Sequence, residues 1–228
     1  MIGIIGAMQV EVEHIKAVMT DVETEKISGI EFCRGKISGK DAVVAKCGIG
    51  KVFASVCAEA MILRYNPDVV VNIGVAGTLT DELNTTDIAV ARSVVHHDLD
   101  TSPLGDPAGL ISGINIINIE CDENVSSLLE KCVKSLGINC KTGVIASGDQ
   151  FVCTTERKNF IRGTFNAIAC EMEGASIGHV CFINGTKFGV LRAISDVADE
   201  KSHMDYDKFV PLAAKNSFEV IKRFIEEY

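Results

Sequence analysis

The chain has 228 residues, with 22 Lys plus Arg against 31 Asp plus Glu and a net charge of −9, a balance that repels phosphate backbones and anionic membranes. Nucleic acid and membrane surfaces are therefore set aside as partners. Apolar residues make up 47% and charged residues 23%, which excludes a disordered or collagen-like chain, and no apolar run is long enough to cross a bilayer. The length fits a single domain over 1–228.

Strand-like runs alternate with helical patterns almost from end to end, the trace of a largely parallel sheet with crossover helices. Residues 2–5 open it as a strand, followed by a helix over 8–19 and a hairpin over 27–37 that turns at Gly29 or Gly39. A strand over 41–47 runs into the Gly48-Ile49-Gly50 turn. The next helix, 51–65, carries Val52, Val56, Ala60 and Leu63 on one apolar face, and Pro67 ends it. Residues 68–75 form a continuous apolar strand of the kind covered on both faces, broken only by Asn72, and empty into the Gly74-Val75-Ala76-Gly77 turn. A strand over 88–95 follows, then a loop over 96–113 with Pro103 and Pro107, and an edge strand over 114–119. A helix over 124–136 closes at Gly137, and a strand over 141–146 leads into a polar turn at Ser147, Gly148 and Asp149. The remaining elements are 156–162, 167–170, 174–182, 188–194 and a final amphipathic helix over 207–227.

In parallel sheets ligands bind beyond the carboxyl ends of the strands, which selects five segments: Gly6 to Glu11, Gly48 to Gly50, Gly74 to Gly77, Glu171 to Glu173, and Arg192 to Asp196. Three of them end in carboxylates. A crevice with several carboxylates and no basic cluster shifts proton affinities and supports acid and base work. Each residue also has a purely structural role open to it. Glu11 and Glu173 can serve as acidic residues at helix N-termini, with Glu171 a solvated neighbour of Glu173. Asp196 can cap a turn, and Met172 and Phe151 can fill the core. His96 and His97 sit beside Asp98 and Asp100, yet neighbouring strand residues point to opposite faces, which argues against a metal centre. No G-x-S-x-G elbow is present for covalent catalysis. Nine cysteines without a C-x-x-C pair fit free thiols in a reducing, cytoplasmic setting, and the N-terminal MIGIIGAM lacks the basic start of a signal peptide.

Taken together and in order, GIIGAMQVEVE, CGIGKV, NIGVAGTL, SGDQFV, EMEGASIGHVC and RAISDVAD resemble the 5′-methylthioadenosine/S-adenosylhomocysteine nucleosidases of the purine nucleoside phosphorylase superfamily. The resemblance runs from Met1 to the last helix. It implies a single-domain three-layer α/β/α sandwich around a mixed, partly barrel-like sheet, a homodimer, no cofactor, and hydrolysis of the N-glycosidic bond joining adenine to a 5′-thio-ribose. It further implies that Asp196 protonates nitrogen 7 of adenine, that Glu11 activates water, and that Glu173, with Met172 beside it, holds the ribose hydroxyls. Phe151 is expected to stack on adenine and Val152 to meet its edge, with Ser195 and Arg192 supporting the carboxylates. Ile49, Val75, Ala76, Gly77, Leu104 and Tyr206 complete the expected binding set.

Two departures bear on this assignment. Relatives usually carry a small hydroxyl or polar residue where this chain has Val75, and Thr78 replaces a second glycine, so one hydrogen bond to the attacking water is expected to be missing. Phosphorylases of the superfamily place arginines in the first loop, whereas residues 6–13 here carry acidic residues and no basic one; a carboxylate there repels phosphate and polarises water. The related readings are an aminodeoxyfutalosine nucleosidase, a purine nucleoside phosphorylase, and a nucleoside-binding protein without turnover.

Overall fold

The computed structural model describes residues 1–200 and 202–228, with the side chains of 203–205 and 207 left aside. Ten strands form one mixed sheet in the order β10-β6-β8-β9-β5-β1-β4-β3-β2, with β7 on β6. The central run is β5 (Val69–Thr78), β1 (Ile2–Gly6) and β4 (Lys40–Lys46), mutually parallel. On one side the antiparallel pair β3 (Ile30–Ile37) and β2 (Thr20–Ile27) extends it. On the other side β9 (Ala167–Glu171), β8 (Cys140–Ser147), β6 (Ile88–His96) and β10 (Lys187–Asp196) curl round until β10 pairs with β5, closing a five-strand ring. The short β7 (Ile119–Glu120) lies on the outside of β6.

Helices cover both sides of this sheet. α2 (Lys51–Tyr65) and α5 (Gly174–Asn184) pack Cys57, Met61, Ile177 and Cys181 against one face. α1 (Gln9–Ala17), α3 (Glu123–Ser135) and α6 (Ser202–Glu227) bury Val12, Ile15, Leu129, Ile221 and Phe224 against the other. α4 (Thr155–Phe165) brings Ile161 and Phe165 onto a third apolar cluster at the ring. The expected α/β/α layering and barrel-like closure are both present. β5 is buried along its whole length, as its apolar run predicted.

Three local expectations differ. Residues 20–27 form a strand, and the chain turns at both Gly29 and Gly39, each with positive φ, so two hairpins stand where one was expected. The sequence TDVETEKI hides this strand because it is an exposed edge, where charges protect against pairing with another chain. The edge strand expected at 114–119 starts five residues later and is only two residues long, at Ile119–Glu120, while Ile111 and Ile116 make an isolated bridge. Of the α2 face expected to meet the core, Val52, Val56 and Leu63 are turned outward, with Val52 76% and Leu63 73% exposed, and only Ala60 packs partly against the core; Ala54, Cys57, Ala58, Met61 and Ile62 face it. α2 is apolar on more than one side, and periodicity alone does not say which side meets the sheet. All nine cysteines are free, seven of them buried.

Candidate active site

The carboxyl ends of β1, β5, β9 and β10 surround a cavity of about 290 Å³. Glu11 enters from the first turn of α1. Its Oε2 accepts the N–H groups of Ala7 at 2.7 Å and Met8 at 2.9 Å, and its Oε1 accepts the N–H of Val75 at 3.1 Å. The structural role of an acidic residue at a helix start is therefore fulfilled, yet the same side chain lines the cavity. Burial pushes its carboxyl above the ordinary range, opposed by Arg192 and these three backbone donors. A Cβ at position 74 would stand 2.6 Å from Glu11 Oε1 and 2.8 Å from Arg192 Nη1, so any larger residue must displace one or both.

Glu173 occupies the N-cap of α5 and accepts the Gly50 N–H at 2.8 Å. Burial, and next the charge of Glu171, raise its carboxyl to about 7. Glu171 is no solvated neighbour. It is buried against the Arg192 guanidinium, which it receives through Nε at 3.1 Å and through Nη2, and it also accepts Ser147 Oγ and the N–H groups of Glu173 and Gly174. Burial pushes Glu171 up, but Arg192 and these hydrogen bonds outweigh it and hold the carboxyl below its usual range. Arg192 also donates to Asn72 Oδ1, whose Nδ2 donates to Ile5 O at 2.9 Å, and it reaches Glu173 Oε2 at 3.9 Å. One guanidinium thus faces Glu11, Glu171 and Glu173.

Asp196 ends β10 at a register shift against β5. Its Oδ2 accepts Ser195 Oγ at 2.9 Å and its Oδ1 accepts the Ala198 N–H at 2.9 Å, the turn-capping role, while the carboxyl also lines the cavity. A Cβ at Gly77 would press to 2.8 Å from Asp196 Oδ1, so this glycine lets β5 pass close beneath the acid. Phe151 and Tyr206 meet edge to face at 5.6 Å, and the Tyr206 hydroxyl sits 3.1 Å from Met8 Sδ.

Of the residues singled out in the sequence, Glu11, Glu173 and Asp196 line this one cavity together with Ile49, Val75, Ala76 and Gly77. Phe151, Val152, Met172, Ser195 and Tyr206 line it as well. Arg192 is fully buried behind the carboxylates rather than at the wall. Leu104 stands apart, 84% exposed at the end of a short 3₁₀ turn, Ser102–Leu104, and takes no part in this wall; an irregular loop gives the sequence no signal for its direction. Met8, Gln150, Cys170 and Glu171 line the cavity without having been singled out as binding residues. Asn72 and Ser147, the partners of Arg192 and Glu171, were also missed. Asn72 had a signal: a polar residue inside a fully buried apolar strand needs a buried partner. At Val75 the backbone N–H, not the side chain, makes the contact to Glu11. The two histidines diverge, His96 toward the ring of His179 at 5.7 Å and His97 toward Arg157 Nη2 at 3.0 Å.

A ring-closed mixed sheet with buried carboxylates at its strand ends defines the class: residues 1–226 match the model of the phosphorylase superfamily. Within it the chain belongs to the 5′-methylthioadenosine/S-adenosylhomocysteine nucleosidase family. It is 40% identical over 218 residues to the nucleosidase of that name from Shewanella loihica, covering 95% of this chain and 94% of the relative. A mutant of the Helicobacter pylori nucleosidase, solved with 5′-methylthioadenosine in the active site, superposes with a TM-score of 0.96 at 39% identity, covering 100% of this chain and 98% of the other. A futalosine hydrolase mutant of Helicobacter pylori gives a TM-score of 0.95 at 39% identity over 100% and 99%.

Proposed function

We propose that the protein hydrolyses the N-glycosidic bond of 5′-methylthioadenosine and S-adenosylhomocysteine, and of 5′-deoxyadenosine, releasing adenine and the 5-substituted ribose. The observation that carries this reading is the convergence of Glu11, Glu173 and Asp196 on one cavity of nucleoside size. Adenine leaves poorly as an anion, so a proton delivered to nitrogen 7 by Asp196 lets the bond break with a neutral leaving group. Ser195 and the Ala198 N–H orient that carboxyl. The ribose left behind becomes oxocarbenium-like. Glu11, Glu171 and Glu173 face the single guanidinium of Arg192, so the floor of the cleft has an excess of acidic groups, and a cationic sugar restores the balance as it forms. An interaction worth about 3 kcal/mol in that state supplies roughly two orders of magnitude in rate.

Glu11 is the general base. Three backbone N–H groups fix its direction, and its raised proton affinity makes it a better base near neutrality than an ordinary carboxylate. Glu173 accepts hydrogen bonds from the ribose hydroxyls beside Met172, and Phe151 with Val152 forms the wall for the base. Among the described residues no basic side chain lines the cleft, which supports water rather than phosphate as the acceptor. A second reading, hydrolysis of a futalosine-type nucleoside, draws on the likeness to the futalosine hydrolase, since the wall beyond the 5′ carbon is where the two substrates differ. Chromatography of adenine released from methylthioadenosine, S-adenosylhomocysteine, 5′-deoxyadenosine and aminodeoxyfutalosine, with and without phosphate, tests both. Adenine from the first two at a phosphate-independent rate is the expected result; unchanged substrate overturns it.

The active species is a homodimer in this reading. α2 and α5 pack against each other, and between them Val52, Phe53, Leu63, Phe182 and Ile183 expose apolar side chains, surface of the kind covered by a second copy. Free thiols fit a reducing cytoplasm, where such an enzyme would serve methionine salvage.

A further inference from the structure

Beside the cleft lies a closed set of charged contacts that none of the chemistry above uses. Lys51 is the first residue of α2, Asp98 lies in the loop after β6, and Asp149 lies in the loop after β8. Asp98 Oδ1 accepts Lys51 Nζ at 2.6 Å, Asp98 Oδ2 accepts the Asp149 N–H at 2.9 Å, and Asp149 Oδ1 accepts the Lys51 N–H at 2.8 Å. The Lys51 and Asp98 side chains are 23% and 18% exposed, so solvent screens this pair less than an ordinary surface pair. The loop bearing Asp98 is itself anchored, because Arg157 of α4 donates to His97 O at 3.2 Å.

The consequence lies in what α2 does with its first N–H groups. The helix starts at Gly50 without a side-chain cap of its own, and a helix start needs acceptors for these donors. Two carboxylates distant in sequence supply them. Glu173 takes the N–H of Gly50 and Asp149 takes that of Lys51, each at 2.8 Å. Gly50 has φ of 96° and its missing Cβ would stand 2.9 Å from Asp149 Oδ1, so Asp149 closes directly on this glycine while Glu173 takes the N–H of the same residue. On its other side Asp149 leads directly into Gln150, Phe151 and Val152, which line the cleft.

We propose that Lys51, Asp98 and Asp149 are positioning residues: together they clamp the first turn of α2 to the loop 148–152 and so hold the Glu173 carboxylate and the Phe151 wall in one fixed relation. The clamp rests on the nucleosidase reading and adds to it residues that touch no substrate. Misplacing a reacting group by about 1 Å costs on the order of 100-fold in rate, and the clamp acts on a group whose contacts strengthen as charge develops on the sugar.

The test is a set of variants, Asp98→Ala, Lys51→Met and Lys51→Arg, each made in the natural chain and in a Glu173→Ala background, with kcat and KM for adenine release from methylthioadenosine. Asp98→Ala and Lys51→Met are expected to lower kcat about 10- to 100-fold, with Lys51→Arg within about threefold of the natural chain because it keeps the charge. In the Glu173→Ala background the same changes are expected to cost less than about threefold, since the contact they position is already gone. Lys51→Met leaves both backbone contacts of α2 in place and carries the test if Asp98→Ala does not fold. Natural kcat in Lys51→Met, or an equal fold-loss in both backgrounds, overturns the clamp while leaving the nucleosidase reading intact. A natural chain that releases no adenine overturns both.

Discussion

Replacing Glu173 by Gln should make the unliganded protein more stable and much less active. The carboxyl is buried and raised to about 7, first by burial and then by the charge of Glu171. An ordinary glutamate in the unfolded chain ionises near 4.5. The folded state therefore binds the proton more tightly, and this group's contribution to stability is fully present below about pH 4.5 and is lost as pH rises through about 7. The difference between these two values corresponds to about 3 kcal/mol above neutrality. Glutamine keeps an acceptor for the Gly50 N–H and carries no charge, so the variant avoids that cost. For a chain of this length the gain corresponds to a melting temperature higher by about 5 to 10 °C near pH 8.5, shrinking to little below about pH 5. Thermal and urea unfolding of both proteins across that range measures the effect, and the activity assay measures its functional cost. A stability difference that does not change with pH would refute the reasoning, because it would mean that Glu173 is not held in the folded protein with a raised proton affinity.

Asp196→Asn and Glu11→Gln should each lower kcat by about 10³-fold or more with folded near-ultraviolet circular dichroism retained; near-natural turnover in either would show that its proton role is misassigned. As pH falls, kcat/KM should decline through a carboxyl group titrating above the usual glutamate range, since burial raises Glu11 and protonation removes the base; a limb at the ordinary value would place the base elsewhere. Gly74→Ala should cost about 100-fold in kcat, because the added carbon displaces Glu11 Oε1 and Arg192 Nη1 together, and kinetics on the purified variant decides it. Leu63→Glu should convert a dimer to a monomer by sedimentation velocity, and an unchanged dimer would move the interface away from α2.

The sequence alone determined the order and type of most elements, because a parallel sheet covered on both faces forces long apolar runs such as that of β5, and its crossover helices force a second period between them. It also determined the acidic residues worth attention, since the motifs place them directly after strands, where ligands bind. It could not show that Glu11 and Asp196 satisfy nearby backbone N–H groups and line the cleft at once, nor that Glu173 makes no cap bond to its own helix and instead accepts the Gly50 N–H, because local sequence describes only near-neighbour roles. Tertiary structure alone decided the partners of Arg192, which come from β5 and β9, and the buried state of Glu171, whose polarity had argued for solvent. It alone decided which apolar face of α2 meets the sheet. Local periodicity reports that a face is apolar, whereas the choice between core and surface, and every contact between a helix start and a carboxylate over a hundred residues away, depends on how the ring of strands closes in space.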